Sequence, residues 1–341
     1  MQRKHFLSTL IPVAVTLSSL KNVEAETEVM PKQIKIPPYL QLGDVIGITC
    51  PAGYISLEDI QPAVQLMQSW GFQIEVGKTV GKRDFTLGGT DEERAADLQY
   101  MLDQPHIKAI MCARGGYGAV RIIDQLNFNR FKKYPKWLIG FSDITVLHNH
   151  IHSNCRCATL HSKMCNSFPE NWNLAEPIQK ETILSIRQAL TGERLRYQAP
   201  ASAFNRLGTV TAPLVGGNLS IIANLAGTVS DIDTKGKILF VEDTGEYAYN
   251  IDRLFYNLKR TGKLDRLAGL IVGGFKLKPD DPGEEFGKTL SDIVLSKVKD
   301  FSYPICFDFP VGHQKNNFAL RCGVPYTLKV TVGGVQLEVQ G

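Results

Sequence analysis

Between residues 44 and 150, short apolar runs alternate with segments of helical period, and this alternation limits the fold of the 341-residue chain more than any other feature. The run "DVIGITCPAG" ends at Pro51 and Gly53; beyond it Ile60, Ala63, Val64 and Met67 share one helical face, Ser56 is available as a cap, and Gly71 stops the helix. "FQIEV" reads as the next strand. Thr90 and Glu93 make a capping box ahead of "DEERAADLQYMLDQ", and then come the strand "IKAIMCA", the helix "YGAVRIIDQL" and the strand "WLIGF". Strands this apolar must be covered on both faces, so the spacing predicts an α/β fold with a parallel sheet over residues 38–165.

The pattern changes near residue 165. Residues 166–205 are mixed around one amphipathic helix, "EPIQKETILSIRQALTG", and read as a connection between domains. Residues 206–341 are strand-rich: "GTVTAPLVGG", "GKILFVED" and "LAGLIVGGF" are glycine-punctuated strands, "NIDRLFYNLKRTG" is a helix, and "TLKVTVGGVQLEVQ" is a hairpin turned at Gly333-Gly334.

The amino end has the form of an export signal. Arg3, Lys4 and His5 precede the apolar "FLSTLIPVAVTLSSL", and Val23-Glu24-Ala25 supplies a small-x-small cleavage site, so residues 1–25 read as a signal peptide and 26–37 as a linker. The alternative is an uncleaved membrane anchor, which Pro12 and the interspersed serines and threonines disfavour. "QRKHFL" also resembles a twin-arginine signal with lysine in second place, which leaves the export route open while the destination, the periplasm, is the same. Removing Arg3, Lys4, Lys21 and Glu24 takes the net charge from +4 to +2, which leaves no electrostatic footprint for nucleic acid. Seven cysteines are an odd set in a chain large enough to fold without staples, so at least one is free or pairs between chains. Cys50 and Cys112 fall at the ends of buried strands, and "CRC" at 155–157 lacks the spacing of a zinc site.

The chemistry concentrates where strands end. In "KWLIGFSDITVLHNH" a strand runs into Ser142 and a helix begins at Asp143, so Ser142 is either a helix cap or a nucleophile on a sharp turn; Gly140 leaves room where strand and helix crowd. The glycines of "CARGGYGAV" do not have the spacing of a dinucleotide or phosphate loop but suit a backbone N–H aimed at an oxyanion. A serine nucleophile requires a base and an orienting acid. His148 and His152 have the spacing of a helical metal pair but lack a third ligand, His106 sits in a loop, and His161 suits a core histidine. His313 lies in a glycine-flanked loop after an apolar strand, and Glu242 ends the strand "KILFVE".

Taken in order, "RGGYG" (114–118), "IGFSDIT" (139–145), "TLHSKM" (159–164), "VGGNLS" (215–220), "FVEDTGE" (240–246) with "IDR" after it, and "GH" (312–313) resemble the LD-carboxypeptidase family of serine peptidases, which includes microcin C self-immunity peptidases. The resemblance covers roughly residues 38–338. It implies a flavodoxin-like or class I amidotransferase-like first domain and a Ser142, Glu242, His313 triad divided between the two domains. It further implies an oxyanion hole of the Gly116 and Asp143 N–H groups, no metal or organic cofactor, and a homodimer. The implied reaction is hydrolysis of the amide between an L-centre, meso-diaminopimelate or L-Lys, and the terminal D-Ala of a murein tetrapeptide. A hydrolase of peptidyl-nucleotide antibiotics and a non-catalytic muropeptide-binding protein are the alternatives. Arg114, beside Gly115, suits the substrate's terminal carboxylate or a structural acid, and Asn218 suits the substrate backbone or a turn. The sequence departs from the family pattern at Ser162-Lys163, where Gly-Pro is usual, and at Asn316-Asn317.

Overall fold

The computed structural model describes residues 34–340. The predicted signal peptide, residues 1–25, and residues 26–33 of the predicted linker lie outside them.

The first half builds the expected parallel sheet. Strands β1 (Val45–Thr49), β2 (Gln73–Val76), β3 (Ile107–Cys112), β4 (Trp137–Gly140) and β5 (Thr159–His161) run parallel in the order 2-1-3-4-5, the doubly wound order of flavodoxin-like sheets. Between them lie α1 (Gln61–Ser69), α2 (Asp91–Asp103), the short α3 (Ala119–Ile122) and α4 (Asn129–Lys133), and α5 (Thr145–His150) follows β4. Thr90 and Glu93 form the reciprocal capping box at the start of α2. Ser56 does not cap α1: it exchanges hydrogen bonds with Asp59 in the turn before the helix, which starts at Gln61 with Pro62 in its first turn. The α1 face is as expected, with Ile60, Ala63, Val64 and Met67 buried.

After α6 (Pro177–Leu190) comes a second sheet. It contains β6 (Arg196–Ala199), β7 (Gly208–Asn218), β8 (Ile238–Glu246), β9 (Gly269–Leu277) and β10 (Ile305–Cys306). Past β11 (Leu320–Cys322) it gains β12 (Pro325–Thr331) and β13 (Gly334–Val339), in the order 10-9-8-7-12-13-6. Strands β7 to β10 are parallel, and α7 (Leu219–Asn224), α8 (Ala248–Arg260) and α9 (Leu290–Val298) connect them. Thr331 pairs with Gly334, so the final hairpin turns on Val332-Gly333, one residue earlier than expected. Strand β11 leaves this sheet and pairs antiparallel with β5 of the first. One core joins the sheets, running from Ile46, Trp137 and Leu160 to Phe240, Ile271 and Tyr326. Each such buried side chain contributes about 1.5–3 kcal/mol relative to exposure.

All seven cysteines are buried and unpaired, which satisfies the expectation of a free thiol and places them as core residues. Among the described residues no helix is long and apolar enough to cross a membrane, and no cluster of His, Cys, Asp and Glu could hold a metal. His148 and His152 are packed in the interior, and His148 shares a 2.9 Å hydrogen bond with the Gly140 carbonyl.

Candidate active site

Strand β4 is buried along its whole length, and the chain leaves it through an abrupt turn. Phe141 is extended at φ −154°, and Ser142 then adopts φ +62°, the left-handed region that a side chain with a Cβ enters at a cost. Gly140 makes the turn possible, because a Cβ there would lie 2.9 Å from Ile144 Cγ2. The turn sets Ser142 at the carboxyl end of the sheet with the first turn of helix directly behind it.

The relay partners come from the second sheet. Glu242 does not end its strand as the sequence suggested: β8 continues to Glu246, and its pairing with β9 slips between Val241 and Asp243. The extra residue belongs to β9, where Gly273 and Gly274 together oppose Glu242 and Gly274 bridges to Gly312, the residue before His313. The Glu242 carboxylate, fully buried, lies with Oε2 2.6 Å from His313 Nδ1. His313 Nε2 lies 3.2 Å from Ser142 Oγ, across a sequence separation of 171 residues. With Nδ1–H donated to Glu242, Nε2 is left to accept the Ser142 hydroxyl proton. Gly312 (φ +107°) allows this approach, since a Cβ there would fall 2.5 Å from Glu242 Cβ. The Phe141 ring packs on the imidazole with centroids 4.9 Å apart.

The glycine loop after β3 lies over the serine. A Cβ on Gly115 would come within 3.1 Å of Ser142 Cβ. The Gly115 carbonyl accepts the Gly53 N–H at 2.8 Å, so the planar peptide turns the Gly116 N–H to the opposite edge. Gly116 is exposed with φ +96°. The Asp143 carboxylate is buried and accepts the Ala119 N–H at 2.8 Å, tying the serine turn to this loop. Burial pushes the Asp143 carboxyl up to about 6, against the pull of the Ala119 and Gly118 N–H groups and the Arg94 charge. Arg94, itself buried, donates to the Pro51, Gly89 and Gly118 carbonyls and holds the loop from below.

Arg114 is exposed at the rim, donates to the Tyr54 carbonyl at 2.9 Å, and makes no ion pair among the described residues. Asn218 is turned inward. Its Oδ1 caps α7 by accepting the Ile221 N–H, its Nδ2 donates to Asp243, and its own N–H goes to Thr145 Oγ1 at 3.1 Å. A Cβ on Gly217 would lie 2.6 Å from that Thr145 hydroxyl, so β7 clasps the serine helix as closely as glycine allows. The side-chain roles of three positioning groups are not readable in sequence. Asp143 is named there only for its backbone N–H, Arg94 has no role beyond its helix, and Asn317 Oδ1, which accepts the Gly312 N–H at 2.8 Å, is recognisable only once its loop folds back. His161 is a core histidine, but its partner is that same Asn317 side chain and not a backbone group. Lys163 meets the His313 loop directly, its Nζ donating to the Gln314 carbonyl at 2.6 Å.

The arrangement contains a hydroxyl, an imidazole able to take its proton, a buried carboxylate fixing the imidazole, and a glycine loop beside the serine. Such a set is suited to acyl transfer through a covalent serine ester.

Comparison with known proteins places the chain in a family. Residues 46–162 match the model of the LD-carboxypeptidase N-terminal domain, and residues 211–328 that of the LD-carboxypeptidase C-terminal domain. The chain is 33% identical over 84% of its length to a Bacillus subtilis protein named "Probable murein peptide carboxypeptidase", of which it covers 89%. It is 29% identical over 82% of its length to the murein tetrapeptide carboxypeptidase of Pseudomonas aeruginosa, of which it covers 91%. The crystal structure of muramoyltetrapeptide carboxypeptidase from Oxalobacter formigenes superposes with a TM-score of 0.77 at 26% identity, over 87% of this chain and 99% of that one. On its sequence, its fold and the two matched domains, this chain belongs to the LD-carboxypeptidase family.

Proposed function

We propose that the protein is a serine LD-carboxypeptidase that removes the terminal D-Ala of murein tetrapeptides, with residues 38–165 supplying the nucleophile and residues 206–341 its acid and base. The observation that carries the reading is the Ser142–His313–Glu242 chain of contacts, at 3.2 and 2.6 Å, within a member of this family.

Ser142 Oγ attacks the carbonyl of the L,D amide while His313 Nε2 takes its proton. Glu242 keeps the imidazole in the tautomer that leaves Nε2 free and stabilises the imidazolium once formed. The Gly116 and Asp143 N–H groups receive the tetrahedral oxyanion, each donor typically contributing about 3 kcal/mol. The imidazolium then protonates the departing amine, D-Ala leaves, and water, activated by the same histidine, releases the acyl group from Ser142. Arg114 and the Gly115 backbone border the substrate on the loop side, and Asn218 holds the floor through Thr145 and Asp243. Export to the periplasm, on the reading of residues 1–25, and assembly as a homodimer belong to the same proposal.

The test incubates purified parent protein and Ser142→Ala with a diaminopimelate tetrapeptide and follows D-Ala release by mass spectrometry. The parent is expected to turn over and Ser142→Ala to lose at least about 10³-fold in kcat. Equal turnover by both proteins removes Ser142 as nucleophile; no turnover by either removes the murein substrate.

A further inference from the structure

Beside His313 opens a cleft of about 450 Å³, walled by Phe141 and His313 and bordered by Lys163, Lys276 and Lys315. Among the described residues no aspartate or glutamate lines it. Lys315 is neutralised by the exposed Glu176, at 2.9 and 3.0 Å. Lys163 and Lys276 form no ion pair among the described residues. Lys163 is half-buried, and its ammonium donates to the carbonyl of Gln314, the residue after the catalytic histidine. Its ammonium also lies 5.5 Å from the centre of the Phe141 ring. Burial and the nearby Lys276 charge push the Lys163 ammonium down to about 8, against the opposing pull of Glu242. The two cations facing one cleft repel each other and the half-buried Lys163 also loses hydration, a cost that a bound anion offsets.

The position of the cleft identifies the anion. The histidine that takes the serine proton must return it to the departing amine, so the leaving residue lies on the His313 side of Ser142. In a terminal D-amino acid the carboxylate is separated from that amine by a single carbon. Arg114, on the glycine loop, does not line this cleft.

Resting on the reading of the protein as a carboxypeptidase, we propose that Lys163 and Lys276 form the subsite for the α-carboxylate of the departing D-amino acid and so restrict the enzyme to free carboxyl termini. Lys163 couples recognition to catalysis, because the ammonium that holds the carboxylate also holds the backbone beside His313. The diaminopimelate side chain also carries a carboxylate, and the substrates of the test separate the two sources.

The experiment measures kcat and KM for parent, Lys163→Met, Lys163→Arg and Lys276→Met. The substrates are the diaminopimelate tetrapeptide, its C-terminal carboxamide, and the tetrapeptide with lysine as third residue. Lys276→Met is expected to lose about tenfold in kcat/KM on the free acids through KM, with the carboxamide unchanged; Lys163→Met is expected to show the same acid-selective loss together with a fall in kcat common to acid and carboxamide, and Lys163→Arg to stay close to parent. An acid-to-amide ratio that survives both methionine variants overturns the subsite, and so does a loss that follows the third residue. Lys276 is exposed, so its variant reads the subsite even where Lys163→Met folds poorly. If the parent turns over no tetrapeptide, the carboxypeptidase reading fails by itself. Binding of N-acetyl-D-alanine and of its amide to Ser142→Ala, followed by NMR titration, then decides: acid-selective binding lost with Lys276→Met supports the subsite, and equal binding of acid and amide overturns it.

Discussion

His161 Nε2 and Asn317 Oδ1, 156 residues apart in sequence, meet at 3.1 Å in the interior, and the same oxygen accepts the Gly312 N–H. One amide oxygen thus ties the end of β5 to the turn that presents His313. Asn317→Ala leaves two buried donors without an acceptor, each costing about 1–3 kcal/mol. The expected result is a loss of about 3 kcal/mol in urea unfolding and a fall in kcat larger than any rise in KM. Unchanged kcat in a destabilised variant would make Asn317 a purely structural residue.

Gly312 is the second constraint on the same histidine. At φ +107°, with a Cβ position 2.8 Å from Glu242 Oε2, even alanine must displace the carboxylate or the loop. Gly312→Ala is expected to lower kcat on the order of 10²-fold, as small misplacements of catalytic groups do, while circular dichroism shows the fold retained. A kcat near that of the parent would mean that the Glu242–His313 contact tolerates displacement.

The first sheet was legible as parallel because continuous apolar runs separated by capped helices must be covered on both faces, while its strand order comes from the structure. Ser142, Glu242 and His313 stand out as candidates because each sits where a buried strand or its following loop carries a polar group, and it is the family resemblance that joins them into a triad. What could not be read depends on pairing between distant segments. Strand β11 has only three residues and joins β5 across the chain, so no local pattern marks it. The bulge in β9 opposite Glu242 exists only in the β8–β9 register. Lys163 and Asn317, both in segments that depart from the family pattern, were left unexplained in sequence; each reaches the His313 loop, through Gln314 and Gly312 respectively.

Ser142 is held in the left-handed region at φ +62°, where alanine retains the strain of serine and glycine does not. Ser142→Gly is therefore expected to be more stable than Ser142→Ala by about 1 kcal/mol, the reverse of the order within a helix. Both lack the nucleophile, so thermal unfolding compares backbone strain alone. Greater stability of the alanine variant would show that the turn stores no strain at this residue.

Acid should weaken the fold. Burial holds His148 and His152 down at about 4 and His161 at about 3, well below the ordinary 6.5. Between pH 6.5 and about 4 the unfolded chain binds protons at these sites and the folded chain does not, so stability falls as pH falls through that window. From pH 7 to 5 each histidine accounts for a loss of about 2 kcal/mol. Asp143 acts in the opposite sense: raised from 3.8 to about 6, it takes up its proton in the folded state first and returns about 1 kcal/mol over the same interval. Three groups outweigh one, and the urea midpoint is expected to drop from pH 7 to pH 5. His148→Gln, whose amide can still donate to the Gly140 carbonyl, should reduce the drop by about 2 kcal/mol whatever its effect at pH 7. A pH dependence identical to that of the parent would mean that His148 titrates alike in the folded and unfolded states.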